Sequence, residues 1–202
     1  MKKKLIIIGA SGHGKVVADI AIENGYRVLG FLDDDTSKSE NYGFPVLGRI
    51  EDAVQFEGCE FIIAIGKNEI RKKIAEQYKS LKYATLIHPK AIVSASVRLG
   101  DGTVIMPMAV INAETQIGKH CIINSSSVIE HDCRIEDYVH ISPGAALCGT
   151  VSVGQSTWIG AGVTVINNVR ICGDCVIGAG AVVTGDIMDK GTYVGIPIRR
   201  LE

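Results

Sequence analysis

The chain has 202 residues, 21 basic against 22 acidic side chains, and 47% hydrophobic residues. With a mean hydropathy of +0.23, these values exclude a disordered chain, and the near-zero net charge offers no general attraction to nucleic acid or to an anionic membrane. Twenty-three glycines and only 5% aromatic residues call for a narrow, regular core built from small aliphatic side chains.

The start, Met1–Gly9, is basic then apolar in the manner of a secretion signal, with a strand expected over Lys4–Ile8. Its apolar run is too short and meets Gly9, Gly12 and Gly14, so it reads as a buried strand and turn of a cytoplasmic protein, with no membrane span. A helix is expected over Gly14–Asn24 and a second strand over Arg27–Leu32, ending at Asp33, Asp34 and Asp35. A third strand over Phe61–Ile65 closes at Gly66, Lys67 and Asn68. The stretch beyond it sets Ile70, Ile74, Tyr78 and Leu81 on one helical face. Strands alternating with helices predict a small Rossmann-like α/β domain over residues 1–86. A glycine turn feeding a helix presents free N–H groups to an anion, and ligands gather at strand C-termini. The spacing Gly9-Ala10-Ser11-Gly12-His13-Gly14 is not that of a dinucleotide fingerprint, and the domain is short, which argues against an NAD enzyme.

From Ile87 every sixth residue to Val183 is Ile, Leu or Val, seventeen positions without an insertion. Chance would produce this on the order of once in 10⁸ tries. Four residues after each aliphatic stands a second, mostly small or β-branched set, which includes Cys121, Cys133 and Cys175. Gly or Asn recurs one position after the aliphatic, at Gly100, Asn112, Gly118, Asn124, Gly154, Gly160 and Gly178, where a corner with positive φ is expected. Neither helix nor plain strand has period six. Residues 87–202 therefore resemble the left-handed parallel β-helix built of hexapeptide repeats, with three hexapeptides to a coil. Five to six coils, at about 4.8 Å per layer, give a prism roughly 27 Å tall. Cys172 and Cys175 have the spacing of half a zinc site, but no second pair accompanies them, so core packing is expected and no metal.

A prism is a scaffold, and chemistry belongs to its outward side chains. Of five histidines, His131 stands out, with Glu130 before it and Asp132 after it to fix its tautomer and raise its basicity. His140 follows nine residues on, half a coil away. The two should point from different parts of one prism and meet only across a subunit interface.

The segment Asn124–Gly149, with Ser-Ser-x-Ile-Glu-His-Asp and then His-Ile-Ser-Pro-Gly-Ala and Cys-Gly, resembles bacterial hexapeptide sugar acetyltransferases. It is most similar to the group of sialic acid O-acetyltransferases and UDP-4-amino-sugar N-acetyltransferases. The turn at Gly9–Gly14, the strand end Phe31-Leu32-Asp33-Asp34, the stretch Ala64–Arg71 and the closing Gly195-Ile196-Pro197 fit the same group. The resemblance implies acetyl-CoA as donor, a homotrimer, and CoA held between adjacent prisms. It implies His131 as general base assisted by Asp132, where some members carry Glu. It sets His140 at the acetyl group, Asn124 on the substrate side and Gly149 near the thioester. Gly160, Ala161, Ala179 and Arg199 would border CoA, and Gly12, His13, Asp33, Asp34 and Lys67 would take the nucleotide. The function it implies is acetyl transfer to the amine of a nucleotide-linked amino sugar.

Three alternatives stay open at the level of sequence. O-acetylation of sialic acid or another sugar would keep the fold and the base. A γ-type carbonic anhydrase shares the prism but needs three zinc histidines, and His120, His131 and His140 lack the required pair five apart. A non-catalytic scaffold would leave the His131-Asp132 pair without a purpose.

Overall fold

A computed structural model describes residues 2–201. The N-terminal part opens with strand β1 (Lys4–Ile8), helix α1 (Gly12–Glu23) and strand β2 (Arg27–Leu32). Strands β3 (Glu40–Asn41) and β4 (Phe44–Gly48), a 3-10 turn over Ile50–Gln55, strand β5 (Glu60–Ile63) and helix α2 (Asn68–Gln77) complete it. The sheet order is β3-β4-β2-β1-β5. Its strands run parallel except for the hairpin between β3 and β4. The apolar runs at β1 and β5 are buried throughout, as a parallel sheet covered on both faces requires. Helix α1 starts two residues before its expected position. Gly14 lies in the first turn, where a Cβ would meet the Gly9 carbonyl oxygen at 2.4 Å, so the helix can approach the sheet only with glycine there.

Seventeen two-residue strands follow, from Leu86–Ile87 to Val182–Val183, each paired in parallel with the residue eighteen positions away. They stack into three flat faces. In every strand the second residue points inward and the first outward. Ile105, Ile111 and Ile123 and their successors up to Val183 form one continuous buried column. The small second set lines the same interior. Within it Thr103, Thr115 and Thr157 accept the backbone N–H of Cys121, Cys133 and Cys175 respectively, one coil above. The buried hydroxyls are thereby satisfied by the next coil, as burial demands, and Cys121, Cys133 and Cys175 pack as core. All six cysteines are free thiols.

Two expectations need correction. Positive φ falls three residues after the aliphatic, at Met108, Glu114, His120, Ser126, Asp132, Tyr138, Thr150, Ser156, Asn168 and Asp174 and at four glycines. The glycines one residue after it are needed for space: a Cβ on Gly100, Gly118, Gly154 or Gly160 would come within about 2.5 Å of the next coil. Helix α2 does not bury Ile70, which is 43% exposed. Its inner face is Asn68, Arg71, Ile74 and Ala75: Ile74 and Ala75, with Tyr78 and Leu81 beside them, pack on the apolar side of the β1–β2–β5 sheet, while Asn68 and Arg71 turn to backbone carbonyls of the prism.

The three faces differ in their outward side chains. The docked face carries Leu86, Val104, Ile122, His140, Trp158 and Val176, and the α/β domain lies on its lower part. Leu86, Val104, Met106 and Ile122 share one buried cluster with β1, α1 and β5. The apolar face carries Ile92, Val110, Val128, Ala146, Thr164 and Val182. The arginine face carries Arg98, Gln116, Arg134, Ser152 and Arg170.

Candidate active site

His131 sits at the corner between the apolar and arginine faces, directly after the strand Val128–Ile129. Its Nδ1 lies 2.7 Å from Asp132 Oδ2, and Asp132 adopts φ 60°, which swings its carboxylate back onto the ring. Asp132 therefore fixes the Nδ1–H tautomer and leaves Nε2 with a free lone pair. Glu130 does not share this role, because it accepts the Asn112 side-chain amide at 2.8 Å. One coil above, Gly149 makes room for the ring: a Cβ there would stand 2.8 Å from His131 Cε1 and Nε2.

His140 lies on the docked face, almost completely buried. Its ring stacks on Trp158, with centroids 5.5 Å apart and planes at 7°, and the Trp158 indole N–H donates to Ser142 Oγ at 2.8 Å. Asn124 Oδ1 accepts the Ser125 N–H, so its amide nitrogen faces His140 Nε2, 3.2 Å away. Nε2 is then the acceptor and the proton resides on Nδ1, which is buried without a partner of hydrogen-bond geometry beside the Gly66 carbonyl. Burial, with the nearby Arg71 and His13 charges, holds the His140 pKa down to about 3, and the ring is neutral at physiological pH.

His13, in the first turn of α1, faces this cluster from the α/β domain. Burial and Arg71 lower its pKa to about 4. The glycine turn and the docked-face histidine thus meet at one junction. Arg71 fastens that junction. It is 1% exposed, and its guanidinium donates to the carbonyls of His120, Tyr138, Ile65 and Gly66 and to Asn68 Oδ1. Asn68 in turn donates to the carbonyls of Ser156 and Thr157.

The remaining sequence candidates lie in two groups. At the strand ends, Asp33 accepts the N–H groups of Ala10 and Asp35 and the Lys38 ammonium. Burial raises its pKa, but these bonds outweigh it and hold the carboxyl below its ordinary range. Asp34 accepts the Ile50 N–H. Gly12 opens α1 with nothing within 4 Å of a would-be Cβ, so its lack of a side chain leaves open space. Lys67 precedes α2 and lines a cleft of about 330 Å³ with Asn68, Glu69, Trp158 and Val176. The second group, Ala161 and Ala179, stands exposed at the corner between the docked and apolar faces, one coil apart, with Gly160 beside them. Arg199 is exposed in the terminal hairpin. Within one chain His131 stands at a corner and His140 on the docked face, and the two do not meet.

Sequence reasoning missed Arg71, Asn68 and Trp158 as members of the site. Trp158 carried a signal, being the single tryptophan and standing at an outward hexad position beside His140. Asn68 and Arg71 fell within the stretch Ala64–Arg71 that carried the resemblance, but no pattern pointed to burial of the guanidinium, since an arginine in an amphipathic helix ordinarily reads as solvated surface.

Residues 4–78 match the PglD N-terminal domain, and residues 114–149 and 150–185 match the bacterial transferase hexapeptide (six repeats). The acetyltransferase domain of PglB from Neisseria gonorrhoeae FA1090, solved in complex with acetyl coenzyme A, is 38% identical over 100% of both chains, with a TM-score of 0.95. The chain belongs to this family of hexapeptide-repeat sugar acetyltransferases. Its prism is the left-handed parallel β-helix of the family. Perosamine N-acetyltransferase from Caulobacter crescentus, solved with CoA and GDP-perosamine, is 36% identical over 98% of this chain and 97% of that one, with a TM-score of 0.93. UDP-N-acetylbacillosamine N-acetyltransferase from Bacillus subtilis is 42% identical over 107 residues, 50% of each chain. The chain spans at most half the length of the curated relatives it matches. No group of side chains among the described residues is arranged to hold a metal ion.

Proposed function

We propose that the protein transfers the acetyl group of acetyl-CoA to the amino group of a nucleotide-linked amino sugar, of the UDP-4-amino-4,6-dideoxy type, by direct attack. The observation that carries this reading is the His131–Asp132 pair, with Nε2 unengaged beneath Gly149. In the proposed step the sugar amine attacks the thioester carbonyl carbon, and His131 Nε2 takes the proton that the nitrogen loses. The carbonyl becomes a tetrahedral oxyanion, steadied by backbone N–H groups and by His140. The intermediate then collapses, expelling the CoA thiolate. A cysteine acyl-enzyme is disfavoured, because burial pushes the Cys121 and Cys133 thiols up to about 12 and about 11.

The division of labour we propose assigns the nucleotide to residues 1–86 through Gly12, His13, Asp33, Asp34 and Lys67. Acetyl transfer belongs to residues 87–202. Three chains would pack through the apolar face, which brings the His131 corner of one prism against the corner with Gly160, Ala161 and Ala179 of the next. CoA would lie in that seam, with Asn124 and His140 toward its acetyl end and Arg199 available to its phosphates. We assign the protein to the cytoplasm, where six free thiols persist.

The test is thiol release from acetyl-CoA with a panel of nucleotide 4-amino sugars beside free sialic acid, for wild type and His131→Ala. The expected result is turnover of an amino sugar that falls about a hundredfold or more in the variant. Turnover confined to sialic acid would move the acceptor to a hydroxyl, and an active variant would remove His131 from the chemistry.

A further inference from the structure

Two thiols lie outside the reaction described above. Cys172 and Cys175 flank a corner of the last full coil, with sulfur atoms 3.4 Å apart and no disulfide between them. Gly173 and Asp174 are the central residues of that turn, and Asp174 adopts φ 57°. The ends of a four-residue turn lie within about 7 Å, which matches the ~4.4–6.8 Å Cα separation that a disulfide spans. Closing the pair therefore needs side-chain movement from van der Waals contact and no shift of a coil.

The two thiols have different surroundings. Cys175 fills an inward slot and is fully buried. Burial, then the neighbouring Cys172, pushes its thiol up to about 12. Cys172 is half-buried and opens into a groove of about 290 Å³ bordered by Arg134, Arg170, Glu136 and Met188. The Glu136 carboxylate already accepts the Gln155 N–H at 2.8 Å. Neither guanidinium is in an ion pair among the described residues. A thiol at the floor of a groove with two unpaired cations is placed to receive an anionic reagent.

We propose that Cys172 and Cys175 form a thiol–disulfide exchange site whose groove takes an anionic low-molecular-weight disulfide of the oxidised-glutathione class. The Cys172 thiolate attacks one sulfur of that disulfide, and one small thiolate leaves. The Cys175 sulfur, giving up its proton, then attacks Cys172 of the mixed disulfide and expels the second small thiolate. Two protein thiols are oxidised, one small disulfide is reduced to two thiols, and the two protons pass to the departing thiolates. Cys172 attacks first because it alone of the pair borders the groove. This site is independent of the acetyl transfer proposed above.

The experiment is oxidation of the full-length protein with glutathione disulfide, read by intact mass and thiol titration. The expected result is a fall from six free thiols to four with a mass loss of about 2 Da. Cys175→Ser should halt at a stable glutathione adduct on Cys172, and Cys172→Ser should not react. Replacing Arg134 and Arg170 together by Gln should slow the reaction with glutathione disulfide about tenfold, while reaction with neutral hydroxyethyl disulfide stays within about twofold. A wild-type protein that stops at the adduct, or keeps all six thiols, would overturn the dithiol site. Equal slowing with both reagents would overturn the groove's part in it.

Discussion

The imidazole of His131, the base of the proposed transfer, is set in place by two neighbours of unequal legibility. Asp132 was visible as the next residue in the chain, and the one-methylene-shorter carboxylate still reaches Nδ1 at 2.7 Å because its own φ is positive. Gly149, eighteen residues on, came only through family resemblance, since its purpose is the absence of a side chain at a close approach. Gly149→Ala should displace the ring by placing a methyl 2.8 Å from Cε1 and Nε2. The site is exposed, so the thermal midpoint should move little, while kcat falls about tenfold or more through lost alignment. The decisive measurement is kcat for Gly149→Ala alone and in the His131→Ala background. The glycine change should cost nothing once the imidazole is gone, and equal losses in both backgrounds would show that Gly149 acts by some other route. Gly149 stands two residues after Leu147, where the glycines that only admit the next coil stand one residue after their aliphatic, but the offset does not say which side chain approaches it.

At the scale of elements, the prism was legible and the junction was not. A strict period of six identifies inward residues whatever surrounds the coil, so the seventeen aliphatics were readable before any contact was known. The docking of α2 follows a different logic. Arg71 and Asn68 satisfy backbone carbonyls of other coils, a polar fit that leaves no hydrophobic period behind it. The β3–β4 hairpin was missed because Glu40 and Asn41 lack the pattern of a strand. The junction has a measurable consequence in acid. Burial and Arg71 hold His13 and His120 at about 4 and His140 at about 3, below the ordinary value near 6.5. Around His120, Asp137 and Asp101 oppose this shift and Lys119 adds to it. The unfolded chain takes up these protons first, so the stabilising contribution is complete above about pH 6.5 and disappears as pH falls toward 4. Each histidine contributes a slope of up to about 1.4 kcal/mol per pH unit in that window. Glu60 acts lower down: burial would raise its pKa, but Lys82, Tyr26 and Lys3 hold it at about 2, so its contribution fades only below about pH 4.5. Urea midpoints should be level from pH 7.5 to 6.5 and drop between 6.5 and 5. A level midpoint down to pH 5 would remove the histidines from the junction's energetics.

The proposed reaction uses both His131 and His140, yet a single prism holds one at a corner and the other on the docked face. The apolar face lies between the His131 corner and the docked face, and its outward residues, Ile92, Val110, Val128, Ala146, Thr164 and Val182, are uncharged on all six layers. Burying such a stripe is the ordinary driving force for self-association. A cyclic trimer through that face repeats one heterologous contact three times and closes the ring. Each active site would then take its base from one chain and its acetyl-binding histidine from the next. Composite ownership has an arithmetic signature. His131→Ala and His140→Ala homotrimers should each be inactive, because every site lacks one histidine. Unfolding the two together and refolding the mixture scrambles the chains, and about a quarter of the sites then receive His131 from one variant and His140 from the other. Activity should return to about a quarter of the wild-type value, with no recovery when the intact trimers are mixed without unfolding. If both histidines of a site came from one chain, no arrangement of these two variants could restore it, and the refolded mixture would remain inactive. Val128→Arg supplies the complementary measurement: a charge in the middle of the apolar stripe should give a folded monomer by light scattering, with both histidines present and no turnover.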